Sequence, residues 1–219
     1  MSIHGWASVL KKNQLLYPDE RIVTFIASNY RELANNEGKK ALDIGFSSGR
    51  HLALLNDYHF EAYGIDFNPA AIDTAVSIFG ETLRPRLQVG DIKDKPYPDA
   101  FFDLVLFYGV AFLRTKALML HDLKQVHQMM KPGAKMILNF RTKENWFYGK
   151  GCSNDGNFFC LDETAGPYAG LEYTFLDQEE AEQLLQQAGF TITNTERLDL
   201  HRRSLTEHHS WWIFWVEKP

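Results

Sequence analysis

"ALDIGFSSGRHLALL", residues 41–55, decides how the chain is read. It begins as a short apolar run broken by one acid, Asp43, and then bends through Gly45 and Gly49 into a segment with helical spacing. A strand, a turn and a helix follow from that pattern. Small residues at such a bend let a ligand approach the backbone. The turn reads GxSxG, with Ser47 between the glycines, and not the GxGxxG that a nicotinamide dinucleotide requires.

Working outward, Pro18-Asp19-Glu20 opens a helix that carries Ile22, Val23, Phe25, Ile26, Tyr30 and Leu33 on one face and ends near Gly38. On the other side, strands are expected at Glu61 to Asp66, Leu87 to Val89, Phe102 to Phe107 and Met136 to Phe140. Between them stand a helix opened by Asn68-Pro69 and an amphipathic helix from Thr115 to Met130, stopped by Lys131-Pro132-Gly133. Strands and helices alternate without hairpins, which implies a parallel sheet covered on both faces. Residues 141–170 have no clear period and are rich in Gly, Asn and aromatics, as in a functional cover. Asp177 and Glu180 form a capping box for a helix that Gly189 ends. Phe190 to Leu198 and Trp211 to Val216 then read as an antiparallel hairpin, with no helix pattern between them.

The expected architecture is α/β: a Rossmann-like, doubly wound, seven-stranded sheet, mostly parallel with an antiparallel last strand, and helices on both faces. One domain is expected over residues 1–219, with 1–38 as an N-terminal helical cap and 141–175 as an inserted cover loop. With 219 residues, 45% of them hydrophobic, the chain suffices for one core. A net charge of −5 argues against holding nucleic acid or an anionic membrane by bulk electrostatics. Cys152 and Cys160 have no metal-site spacing and read as reduced thiols. The opening MSIHGWASVLKKNQLLYPDE lacks the marks of a signal peptide, and no apolar run is long enough to span a membrane, so a cytoplasmic protein is expected.

In an open α/β sheet, ligands bind beyond the carboxyl ends of the strands, where the Gly45 turn lies. Asp66 ends the second strand, placed to accept from both hydroxyls of an adenosine ribose. Asp91 follows the third strand in Val89-Gly90-Asp91-Ile92, where its carboxylate can face an adenine amino group while Ile92 touches the ring. Three acids at successive strand ends would repel a polyphosphate and welcome a cationic sulfonium and an ammonium. No GKS or GKT stands ready to hold a triphosphate.

On these residues the chain resembles the class I S-adenosylmethionine-dependent methyltransferases. LDIGFSSGRHL is similar to their glycine-rich first motif, YGIDFNP to their second, GDI to their adenine contact, and FDLVLFYGV and KPGAKMIL to their fourth and fifth strands. The resemblance implies S-adenosylmethionine as cofactor, with Asp43 and Gly45 by its amino acid and Asp66 by its ribose. Phe46, Ser47, Gly49, Phe67, Asp91, Ile92 and Phe107 complete the expected cofactor set. Ser47 stands where the family usually has its middle glycine. Serine cannot cheaply take φ > 0, but it is small and its hydroxyl can bond a ligand carboxylate. That departure keeps open a non-catalytic cofactor-binding or scaffold subunit of the same fold; aminopropyl transfer is a third reading, without the acidic groove it needs.

For the acceptor, the segment after the fourth strand, Phe107-Tyr108-Gly109-Val110, lacks the Asn/Asp-Pro-Pro-aromatic motif of enzymes that methylate DNA bases or protein amides. No acids near Arg141 suggest a magnesium site, and no metal is expected. If the last strand is antiparallel, the loop DLHRRSLTEHHS returns to the ligand edge, making His201, His208 and His209 candidate bases. Tyr17, Tyr108, Arg141, Trp146 and Arg202 are the candidate acceptor contacts, with Trp6, Tyr148, Asn157, Phe158 and Arg203 near them. His51, His121 and His127 lie on helices and read as structural. RTKENWFYGKG, GPYAGLEYTF and HHSWWIFWVEK are similar to bacterial small-molecule methyltransferases, some encoded beside surface-glycan pathways. The implied reaction is methyl transfer to an oxygen or nitrogen of a small polar metabolite, such as a sugar or surface-glycan precursor, by a monomer or homodimer with no nucleic-acid or membrane partner.

Overall fold

Strand β1 (Lys40–Ile44) sits at the centre because its side chains are buried on both faces. Leu42 and Ile44 pack into one apolar cluster and Ala41 into the other, so the strand needs helices above and below it. The computed structural model that shows this describes residues 15–153 and 155–219. β1 pairs in parallel with β2 (Glu61–Asp66) on one side and β4 (Phe102–Phe107) on the other. β3 (Leu87–Val89) lies outside β2, and β5 (Met130–Thr142) outside β4, both parallel. β10 (Glu207–Glu217) then pairs antiparallel with β5, and β9 (Thr191–Arg202) antiparallel with β10. The order β3-β2-β1-β4-β5-β10-β9 contains the mostly parallel sheet expected, with β10 antiparallel, but three further strands joined at β5 bring the whole sheet to ten.

The helices divide as a doubly wound sheet requires. α1 (Glu20–Asn29), α2 (Arg50–Asp57) and α3 (Ala70–Phe79) bury Ile22, Phe25, Leu52, Leu55 and Ala75 against Leu104, Leu106 and Ile137 on one face. α4 (Lys116–Met129) and α5 (Gln178–Gln187) bury Met119, Leu123, Val126, Leu184 and Leu185 against Val105 and Leu138 on the other. Local signals set the ends: the Asp19 carboxylate accepts from Arg21 N to start α1, and Asp177 and Glu180 close a reciprocal capping box on α5.

Three expectations need correction. The first helix stops at Asn29, and a separate 3₁₀ turn at Leu33–Asn36 precedes Gly38; of the expected cap, residues 1–14, Trp6 among them, lie outside the described residues. The cover is not irregular. It contains β6 (Cys152–Ser153), β7 (Phe158–Cys160) and β8 (Glu172–Leu176), an antiparallel set joined to the end of β5 through Arg141↔Phe175 and Thr142↔Leu176. Strands this short show too few alternations to be read as a period. Lastly, the terminal loop shrinks to 203–206, because strand pairing continues through Leu200↔His209, His201↔His208 and Arg202↔Glu207. The two cysteines are cross-strand partners on β6 and β7, both exposed free thiols.

Candidate active site

The carboxyl ends of β1, β2, β3 and β4 open onto one cavity of about 690 Å³. Its floor is the turn after β1. Gly45 takes φ +74°, and a Cβ there would stand 2.6 Å from Val110 Cγ1, so only glycine fits against the chain leaving β4. Ser47 itself adopts φ +50°, the left-handed conformation of a glycine, and its backbone N–H donates to Asp66 Oδ2 at 2.9 Å. Asp66 Oδ1 accepts from Asn68 N at 2.8 Å. Each carboxylate oxygen keeps a further lone pair for a ligand hydroxyl. Burial raises the Asp66 carboxyl above the usual aspartate value, against those two backbone bonds.

The wall beyond β3 and β4 carries charge in an alternating chain. Asp91 Oδ1 accepts from Arg114 Nη2 at 2.5 Å and from Lys93 N at 3.1 Å. Burial opposes ionisation of Asp91, but Arg114 and the Lys93 amide outweigh it and hold the carboxyl below its usual range. Arg114 Nε then faces Asp122 Oδ2 at 3.3 Å. Asp122 is fully buried, neither oxygen accepts a hydrogen bond, and burial raises its carboxyl to about 6 despite the opposing charge of Arg114. Glu172 adds a fourth acid to the lining, against Arg50 and Arg114. The balance favours a ligand with positive charge.

At the other end, the first turn of α2 ties down the chain before α1. Ser48 Oγ donates to Leu15 O at 2.5 Å, Arg50 Nη1 to Tyr17 O at 2.9 Å, and Asp19 N to His51 Nε2 at 3.3 Å. Leu15 and His51 thereby join the wall. Behind His51, whose Nδ1 is 3.7 Å away, lies Asp43 Oδ2, buried without a hydrogen-bond partner. Tyr108 lies between these groups and the β4 exit, and burial raises its phenol so that it stays protonated. Gly109 N donates to Asn139 Oδ1 at 2.7 Å, which fixes that exit.

Residues 41–133 match the family model described as a methyltransferase domain. Over this stretch the chain is similar to a methyltransferase domain. The likeness in fold reaches further. A structure from Methanosarcina mazei described as a SAM-dependent methyltransferase superimposes with a TM-score of 0.66 at 18% identity, over 86% of this chain and 97% of that one. An S-adenosylmethionine-dependent methyltransferase from Mesorhizobium loti gives 0.68 at 14%, over 87% and 98%. The 1,6-didemethyltoxoflavin-N1-methyltransferase of Burkholderia thailandensis, solved with 1,6-didemethyltoxoflavin and S-adenosylhomocysteine, gives 0.60 at 17%, over 100% and 91%. At these identities the likeness is one of fold. No curated protein matches the sequence. The resemblance to class I S-adenosylmethionine-dependent methyltransferases thus holds for the motifs and for the architecture.

Of the residues expected to hold the cofactor, Gly45, Phe46, Ser47, Asp66, Phe67, Asp91, Ile92 and Phe107 line the cavity. Asp43 lies behind the wall, and Gly49 serves packing: at φ +83° its missing Cβ leaves room for Ala75 Cβ, which a side chain would meet at 2.7 Å. Of the acceptor candidates only Tyr108 lines the cavity, although Phe158 of the cover also reaches it. Trp146 lines a smaller cavity of about 230 Å³ with Tyr168, Arg203 and Glu207. Tyr17 is 83% exposed, and Arg202 is also exposed.

None of the three candidate histidines, His201, His208 and His209, lines the large cavity. His201 and His208 stack on each other at 4.5 Å along the projecting β9–β10 ribbon, with His208 Nε2 2.6 Å from Asp199 Oδ1. His209 points inward instead, 5% exposed, against Phe147, with Nε2 3.2 Å from Glu207 Oε2. The ribbon carries the loop past the ligand edge. Sequence reasoning missed Arg114 and Asp122. Asp122 had a visible signal: an acid at the apolar spacing of Met119, Leu123 and Val126. Among the described residues no group of three His, Cys, Asp or Glu is arranged to hold a metal ion, and no helix is long and apolar enough to cross a membrane.

Proposed function

We propose that the large cavity binds S-adenosylmethionine and that the chain transfers its methyl group to an oxygen or nitrogen of a small polar acceptor. One observation carries the reading: a bare turn, Gly45 to Ser47, whose backbone is hydrogen-bonded to the acid that ends β2. The residues fit the cofactor. Asp66 offers unused lone pairs to ribose hydroxyls, and Ile92 and Phe107 offer apolar surface to the adenine. The acids around the cavity suit a cation, and the orphaned Asp43 Oδ2 adds negative charge beneath the turn. When bound, S-adenosylmethionine supplies an electrophilic methyl on a positively charged sulfur.

The protein's part is placement and shielding. Holding two reactants in line at contact distance supplies a large share of such an acceleration. Leu15, held by Ser48, and Phe158, from β7, put apolar surface on the cavity wall that would shield the reacting atoms from water. Tyr108, kept protonated by burial, is placed to orient an acceptor by hydrogen bonding. An amine that arrives neutral needs no base. Calorimetry with S-adenosylmethionine and S-adenosylhomocysteine tests the reading, followed by mass spectrometry of acceptor pools incubated with methyl-labelled cofactor. Saturable binding of both, with label in a small product, supports it; absence of binding rejects it.

A further inference from the structure

Arg141, on the carboxyl end of β5, is 8% exposed and has no carboxylate partner among the described residues. Its Nε and Nη1 are sealed from solvent with no acceptor. Four rings surround the guanidinium instead: Tyr173 at 4.2 Å, Phe112 at 4.6 Å, Phe147 at 5.1 Å and Trp211 at 5.5 Å. The guanidinium hydrogen-bonds the neighbouring phenol of Tyr173, which stays protonated, its value raised by burial, and so brings no negative charge and leaves Nε and Nη1 without an acceptor. Ring faces recover part of the cost of burying a cation, but they do not accept its N–H bonds. A hydrophobic side chain would fill this place without penalty. What the arginine adds is an unused, directional capacity for oxygen anions.

Position makes that capacity useful. Val110 and Leu113 line the large cavity and also pack into the aromatic cluster that contains Phe112, Phe147 and Tyr173. On the opposite side, Phe147 touches Trp146 and Tyr168 of the small cavity, at 5.1 and 5.0 Å between ring centres. The guanidinium therefore lies one layer of side chains from each space. We infer that Arg141 anchors an anionic group, a carboxylate or phosphate, of the methyl acceptor, leaving the rest of that molecule beside Tyr108 and Val110 at the end of β4. The inference rests on the proposed methyl transfer for the identity of the ligand as acceptor, but not for the existence of the anion site.

The test uses inorganic phosphate and acetate as probes of the whole chain, read by tryptophan fluorescence, since Trp211 and Trp146 adjoin the site, and by the side-chain Nε resonance of Arg141. Saturable millimolar binding that moves the Nε resonance is expected, at least about tenfold weaker in Arg141→Met. Arg141→Met should bind S-adenosylhomocysteine as the wild type does and melt no lower, because an unpaired buried charge has been removed. Arg141→Lys should keep a weaker response to both probes. If neither probe moves the wild-type resonance, or Arg141→Met binds phosphate equally well, the anion site is wrong; if Arg141→Met and Arg141→Lys both melt far below wild type, the guanidinium is a structural clamp and the inference falls. Loss of S-adenosylhomocysteine binding in the wild type, with phosphate binding intact, would count against the proposed function and leave the anion site standing. Labelled products that are all uncharged would overturn the acceptor assignment.

Discussion

The backbone N–H of Ser47 donates to Asp66 Oδ2 at 2.9 Å, so the turn after β1 and the acid that ends β2 are a single unit. That bond requires φ +50° at Ser47, which a glycine would adopt without strain. Ser47→Gly should raise stability by less than about 1 kcal/mol, since relief of strain is partly offset by a freer unfolded chain, and should keep S-adenosylhomocysteine affinity. Ser47→Val, branched at Cβ, should lose about 1–2 kcal/mol and weaken that affinity by turning the N–H away from Asp66. Thermal melts and calorimetry check both.

Asp66→Asn replaces an oxygen that accepts from Ser47 with an amide that either opposes that N–H or turns its own donors toward the ribose position. Affinity for S-adenosylhomocysteine should drop by about 10–100-fold, in line with loss of hydrogen bonds to a charged group. The wild type should also bind less tightly as pH falls through the Asp66 value, which burial sets above that of an ordinary aspartate. Unchanged affinity in the variant would remove Asp66 from the site.

Asp122 titrates near 6 in the fold against 3.8 in an unfolded chain, with Arg114, Asp91, His121 and Lys93 as its charged neighbours. The native state holds the extra proton between those values, so stability falls as pH rises from the lower to the higher and stays reduced above. Asp122→Asn should therefore be more stable than wild type at pH 8, by about 1–3 kcal/mol, with the advantage gone below about pH 4. Denaturant titrations at both pH values measure it.

Gly45→Ala places a methyl 2.6 Å from Val110 Cγ1 at a backbone angle that disfavours any Cβ. A loss of about 1–3 kcal/mol is expected. Val110→Ala in the same chain should return only the steric part, leaving a non-additive pair in a double-mutant cycle.

His201→Gln and His208→Gln, on the exposed ribbon, should leave methyl transfer to any acceptor unchanged. His209→Gln should lower the melting temperature, because it empties a buried place between Phe147 and Glu207.

What the sequence disclosed followed from distance along the chain. Gly45, Asp66 and Asp91 stand within two residues of a strand end, so alternation and turn chemistry put them at one edge before any tertiary contact is known. Phe158, Glu172 and Asp122 reach the same cavity from the cover and from the flank of α4, through contacts between segments far apart. Only Asp122 broke a local pattern. That the histidines lie on paired strands and not in a loop was hidden for a related reason: β9 and β10 project beyond the sheet with polar side chains, and no alternation marks how far the pairing runs. Arg141 was legible as a basic residue at a strand end, but not as one enclosed by rings without a carboxylate partner, since that depends on four rings from four separate places.

The insertion of β10 between β5 and β9 sets the order of events during synthesis. A ribosome that has not yet passed Glu207 displays a finished β1-to-β5 core whose outer margin, Lys135 to Arg141, has every second amide and carbonyl waiting for a partner. Until the late strand arrives, that margin can be occupied by the same stretch of a neighbouring nascent chain, and crowded expression should favour such mispairing over the intended closure.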